Sequence, residues 1–100
     1  MKLSRLLREA HLPKPVPQFA ITDDRARLVA QVDFAYPARR IAIQAEGYRW
    51  HGGRRRFVED LRTRNRLQEL GWRVLHVTWD DLDVNGAALL APLSTWLRSA

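Results

Sequence analysis

Cysteine is absent from the sequence, which excludes disulfides and any thiolate zinc centre. Three histidines are thin material for an imidazole-built substitute. No apolar run approaches the roughly 20 residues of a membrane span, and the N-terminus shows no signal-peptide hydrophobic stretch. These absences predict a soluble, intracellular and cytoplasmic protein with no membrane partner. Acidic residues are the scarcer charge, 11 against 17 lysines and arginines, for a net charge of +6. What is plentiful is arginine, and it is clustered. Arg49, Arg54, Arg55, Arg56, Arg62, Arg64 and Arg66 stand against only Glu59 and Asp60 in residues 49–66. A guanidinium fork matches the oxygens of a phosphate, so the cluster points to a polyanion. The plainer reading is a solvated helix face.

One hundred residues suit one domain, 1–100, and a hydrophobic content of 46% is enough for a modest core. The chain starts abruptly within a helical pattern, which reads as the C-terminal domain of a longer protein. "LSRLLREA" (3–10) carries Leu3, Leu6, Leu7 and Ala10 at helical spacing. Pro13, Pro15 and Pro17 then enforce an extended linker. Strands are predicted over 18–22, 27–36 and 40–46, separated by turns at Asp23-Asp24 and Pro37-Ala38. A helix follows over 54–70, stopped by Gly71, then a strand over 72–79 and a helix over 86–98 with Leu89, Leu90, Leu93 and Leu97 as its core stripe. The order α-βββ-α-β-α predicts an α/β fold: a mixed central sheet of about four strands flanked by helices. Trp72, Trp79 and Trp96 are expected in the core, and His76 is expected as a packing histidine of a buried strand.

Strand alternation puts Ala30, Val32, Phe34 and Tyr36 on one face of the second strand and Asp33 on the other. In the third strand Ile41, Ile43 and Ala45 oppose Ala42, Gln44 and Glu46. A two-residue turn at Pro37-Ala38 pairs Phe34 with Ile41 and Val32 with Ile43, which matches the apolar sets. A four-residue turn keeps the same parity. Either brings Asp33, Gln44 and Glu46 to one patch, beside His51 and the arginines. Two carboxylates ionise side by side only if a cation joins them. Oxygen donors favour Mg²⁺, Mn²⁺ or Ca²⁺, and such an ion beside a phosphate-binding surface suggests phosphodiester hydrolysis.

The segments "VDFAYP", "IAIQAEGYRWH" and "FVEDLRTRNRLQELGWRVLHVTW" resemble the PD-(D/E)XK nuclease superfamily. Within it they look like the branch of small endonuclease-like domains (domain of unknown function 559), relatives of the very-short-patch repair endonucleases. The resemblance spans about Leu12 to Leu82. It implies a restriction-endonuclease-like fold, a Mg²⁺ (or Mn²⁺) cofactor and DNA as partner. It matches Asp33 to the superfamily's metal-binding aspartate and His51 to a histidine near the scissile phosphate. Asp60 matches an acid that recurs on the helix following the sheet's third strand. At 100° per residue Asp60 falls with Phe57, Arg64 and Leu67, on a side that can face the sheet. Two positions depart from the pattern. Gln44 stands where the family usually has glutamate, and Glu46 where the superfamily has lysine and this branch usually aspartate.

The expected site is therefore Asp33, Gln44 and Glu46 as metal ligands with His51 as proton carrier or phosphate contact. Arg49, Arg54, Arg55, Arg56, Arg62 and Arg66 would hold nucleic acid, with Asp60 and Trp50 as accessories. Each has a plainer reading. Asp33 and Glu46 can be ion-paired to arginine, Gln44 can satisfy a half-buried position, and Asp60 can pair with Arg64 one helical turn on. Two nucleic-acid readings stay open: a metal-dependent DNA endonuclease or nickase, and a catalytically silent nucleic-acid-binding module on the same fold. An interaction domain with a solvated basic helix is a third. One site per chain would need a homodimer, or two encounters, to cut both strands.

Overall fold

The computed structural model describes the backbone of residues 2–46 and 53–98, and the side chains of residues 3–45 and 60–98. The elements run in the predicted order: α1 (Lys2–Glu9), β1 (Val16–Thr22), β2 (Leu28–Tyr36), β3 (Ile41–Glu46), α2 (Gly53–Glu69), β4 (Arg73–Thr78) and α3 (Trp79–Arg98). They build one four-stranded sheet in the order β1-β2-β3-β4. The first three strands form an antiparallel meander, and α2 carries the chain over so that β4 joins β3 in parallel. The fold class read from the sequence is the one observed.

Two core layers sandwich the sheet. On one face Phe34, Tyr36, Ile41, Ile43 and Val77 meet Leu3 and Leu7 of α1 and Leu82, Leu90 and Leu93 of α3. On the other, Ala35, Ala42 and Val74 meet Leu67 of α2 together with Ile21 and Val32. Leu90 and Leu93 are thus the deepest members of the expected α3 stripe, with Leu89 and Leu97 at its margin.

Three expectations are corrected here. The β2–β3 connection takes four residues where a two-residue turn is predicted. A short 3-10 turn covers Pro37–Arg39, and Arg40 closes it in the left-handed region (φ 53°, ψ 48°). Proline suits the first position of such a turn because its φ is already set and its missing N–H is not needed. The pairs become Tyr36 with Ile41 and Phe34 with Ile43, a shift of two residues that keeps the facing parity of the β2–β3 ladder. Second, Val32 does not share a layer with Phe34 and Tyr36; it packs with Leu67, as does its partner Phe19's cluster across β1. Opposite this stretch, Gln18 of β1 has a positive φ of 49°, and the β1–β2 register continues through it without a shift. Alternation counting cannot foresee this change of layer. Third, α3 begins at Trp79 rather than 86. Thr78 Oγ1 accepts the Asp81 N–H at 3.1 Å, an N-cap bond, and Asp80 and Asp81 suit the positive end of the helix. The break that the sequence suggests before residue 86 survives as a kink at Asn85 (φ −137°, ψ 34°).

Helix α2 ends as predicted at Gly71 (φ 84°). Trp72 N–H donates to Leu67 O at 2.9 Å and Gly71 N–H to Gln68 O at 3.0 Å, the paired bonds of a Schellman cap.

Candidate active site

The antiparallel ladder between β2 and β3 covers only residues 34–36 against 41–43. One step beyond it, side chains take over. The Asp33 N–H donates to Gln44 Oε1 at 3.2 Å. The Ala45 N–H donates to Asp33 Oδ2 at 2.8 Å. The two side chains thus cross-brace the strands where backbone pairing stops, and both are half-buried. The donor is a backbone N–H, so the acceptor in Gln44 must be its oxygen, which settles the orientation of the amide. The predicted meeting of Asp33 and Gln44 is therefore observed, and the bland role foreseen for Gln44 is observed with it.

These bonds do not exhaust either group. A carboxylate has two oxygens and about four lone-pair positions, and an amide oxygen has two lone pairs. Asp33 and Gln44 still form a pair of hard oxygen donors on adjacent strands, a donor set that fits Mg²⁺ or Mn²⁺.

Glu46 is the last residue of β3, in register with Thr78 of β4. Its side chain lies outside the described residues, as do Arg49, Trp50 and His51 entirely and the side chains of Arg54, Arg55 and Arg56. Among the described residues no three His, Cys, Asp or Glu side chains come together.

On α2 the inward positions are Thr63 and Leu67, while Asp60, Arg62 and Arg64 are exposed. Asp60 is thus presented to solvent and not packed on the sheet. Arg66 is engaged within the molecule, 3.0 Å from Glu69 Oε2 and 3.7 Å from Asp23 Oδ2. Asp23 is itself the organiser of the β1–β2 turn, its Oδ1 accepting the N–H groups of Arg27 and Arg25 at 2.9 Å each. Those bonds, led by that from Arg27 and helped by the Arg66 charge, hold its carboxyl below the usual aspartate value against a smaller effect of burial.

Two residues stand elsewhere than expected. Trp79 is exposed at the start of α3, unlike Trp72 and Trp96, which pack at the margins of the two layers. His76 is exposed on β4 and directly in register with Gln44. The apolar run around it signals a buried strand, and only the sheet order shows that β4 is an edge strand. A groove of about 660 Å³ lies at the opposite end of β2, lined by His11, Tyr36, Arg39, Leu97 and Arg98 among others. None of the predicted site residues lines it, and Tyr36 at its floor donates to Pro13 O at 2.8 Å.

No family model matches the chain. Two curated proteins of Mycobacterium tuberculosis are similar: uncharacterized protein Rv2248 of strain H37Rv and uncharacterized protein MT2308 of strain CDC 1551. Each is 33% identical over 89 residues, which covers 89% of this chain and 32% of the relative. The chain therefore spans about a third of the length of the curated relatives it matches. Among solved structures, the catalytic domain of the homing endonuclease I-Bth0305I superposes with a TM-score of 0.69 at 19% identity, covering 96% of this chain and 90% of that one. The fold is thus that of a nuclease catalytic domain. No helix among the described residues is long and apolar enough to cross a membrane.

Proposed function

We propose that this chain is a metal-dependent endonuclease or nickase domain that hydrolyses DNA phosphodiester bonds. It would be a member of the PD-(D/E)XK superfamily related to the very-short-patch repair endonucleases. The observation that carries the proposal is the cross-braced pair of Asp33 and Gln44, on a fold shared with a homing endonuclease catalytic domain. In this reading Asp33, Gln44 and Glu46 hold the cation. A divalent ion bound there supplies a Lewis acid that polarises phosphate and lowers the pKa of water. The Ala45 N–H fixes the orientation of the Asp33 carboxylate. Gln44 aligns the backbone of Asp33 while adding a neutral oxygen to the donor set. His51 takes the proton from the attacking water. The exposed Arg62, with Arg49, Arg54, Arg55 and Arg56, holds the phosphate backbone, and Trp50 stacks on a base.

The site lies where β3 and β4, the parallel pair, reach their carboxyl ends. In open α/β sheets that is where ligands meet loops and helix starts. The alternative, a silent nucleic-acid-binding module, is favoured by one feature: Gln44 already satisfies a backbone N–H, a structural role that needs no metal. Supercoiled plasmid separates the two. The purified chain should nick or linearise it in Mg²⁺ or Mn²⁺, and lose this activity in EDTA and on Asp33→Ala. Plasmid that is shifted on a gel but never cut, with or without metal, would favour the binding module.

A further inference from the structure

The sheet order places a third donor beside the first two. Gln44 and His76 are paired residues of the parallel β3–β4 ladder. Residues in register on neighbouring strands project to the same face, with backbones about 4.8 Å apart. That face can be identified: Ala42 and Val74, two residues before Gln44 and His76, both pack in the layer under Leu67 of α2. Leu75 and Val77 belong to the opposite layer. Asp33 is hydrogen-bonded to Gln44, and Gln44 is in register with His76, so the three residues sit side by side on the consecutive strands β2, β3 and β4. Asp33 and Gln44 are half-buried and His76 is exposed.

We propose that His76 is a nitrogen ligand of the cation held by Asp33 and Gln44, and that it makes the site prefer Mn²⁺ to Mg²⁺. This rests on the reading of Asp33 and Gln44 as metal donors. Mg²⁺ takes oxygen ligands almost exclusively and releases water reluctantly, whereas imidazole suits later first-row ions. A neutral amide in place of a second carboxylate reduces the charge attraction that Mg²⁺ depends on, which makes the character of the remaining donor matter more.

The test needs neither DNA nor turnover. The purified chain is titrated with Mn²⁺ and separately with Mg²⁺ by calorimetry, and the Mn²⁺ complex is examined by pulsed electron paramagnetic resonance for coupling to a directly bound imidazole nitrogen. Wild type should bind Mn²⁺ more tightly than Mg²⁺ and show the nitrogen coupling. His76→Ala should lose the coupling and weaken Mn²⁺ by about tenfold or more, with Mg²⁺ changed far less. His76→Asp, which replaces nitrogen by oxygen, should move the preference towards Mg²⁺. The exposed position of His76 leaves the core untouched in both variants, and thermal melting checks this. The inference is overturned if the coupling survives His76→Ala and vanishes on His51→Ala, or if Asp33→Ala abolishes binding while His76→Ala leaves it intact. In both of those cases the metal reading of Asp33 stands. A wild-type chain that binds neither ion overturns both.

Discussion

The two ends of the β2–β3 pair are built on different principles. At the turn end the ladder is regular, and Ile41, Ala42 and Ile43 are at most 1% exposed. The turn residue Arg40 also accepts the Arg73 N–H at 2.9 Å and reaches Leu70 O with Nη1 at 2.9 Å, which ties the hairpin to the end of α2. At the other end the ladder stops after Phe34–Ile43, and polar side chains of Asp33 and Gln44 supply the hydrogen bonds. The first arrangement is cheap and rigid because backbone and apolar burial do the same job. The second places an ionisable group between strands, which stability alone would not favour. Such local conflicts are where a site is expected.

The largest test of this contrast is at the closed end. Ile43→Ala removes a fully buried side chain from the core layer that also holds residues of both terminal helices and should cost about 2–5 kcal/mol, a large part of the stability of a small domain. Urea denaturation measures it. A loss below about 1 kcal/mol would mean that the helices pack far more loosely on the sheet than the structure shows.

At the open end, Asp33→Ala should cost less in stability, roughly 1–3 kcal/mol, because it strands the Ala45 N–H. Asp33→Asn keeps an acceptor for that N–H and should recover most of the loss. Both variants should nevertheless be inactive on plasmid, since neither retains the carboxylate. If Asn restores activity along with stability, Asp33 is a structural brace and nothing more.

The smallest effect is expected at Tyr36, which belongs to the closed end but faces the groove. Burial pushes its phenol from 10.0 up to about 12. The folded state therefore retains the proton between these values and the unfolded state releases it. Stability should be unaffected below pH 10 and decline as the pH rises from 10 to 12. Tyr36→Phe should remove that decline and, by deleting the bond to Pro13 O, cost about 0.5–1.5 kcal/mol at neutral pH. Thermal melts of both proteins across this range would check the sign; an unchanged decline in the variant would place its origin in another group.

Much of this molecule could be read before any coordinates. Element order follows from leucine spacing in the helices, alternation in the strands and the punctuation of Pro13, Pro37 and Gly71, all of which are local properties of the chain. The convergence of Asp33 with Gln44 was also legible, because side-chain parity survives a turn that is two residues longer than expected. The arginine cluster was visible as composition, but not that Arg66 is bound to Asp23 and Glu69, since Asp23 is distant in sequence.

Tertiary structure alone decided three things. Val32 packs in the α2 layer, apart from Phe34 and Tyr36 of the same strand, a placement that no hydrophobic pattern records. Asp33 and Gln44 brace each other because the ladder ends beside them. His76 became a candidate because β4 lies parallel to β3 with His76 opposite Gln44, at the open edge of the sheet. Local sequence specifies which faces a strand has. Which strands are neighbours, and where one of them stops being covered, depends on contacts between residues far apart in the chain.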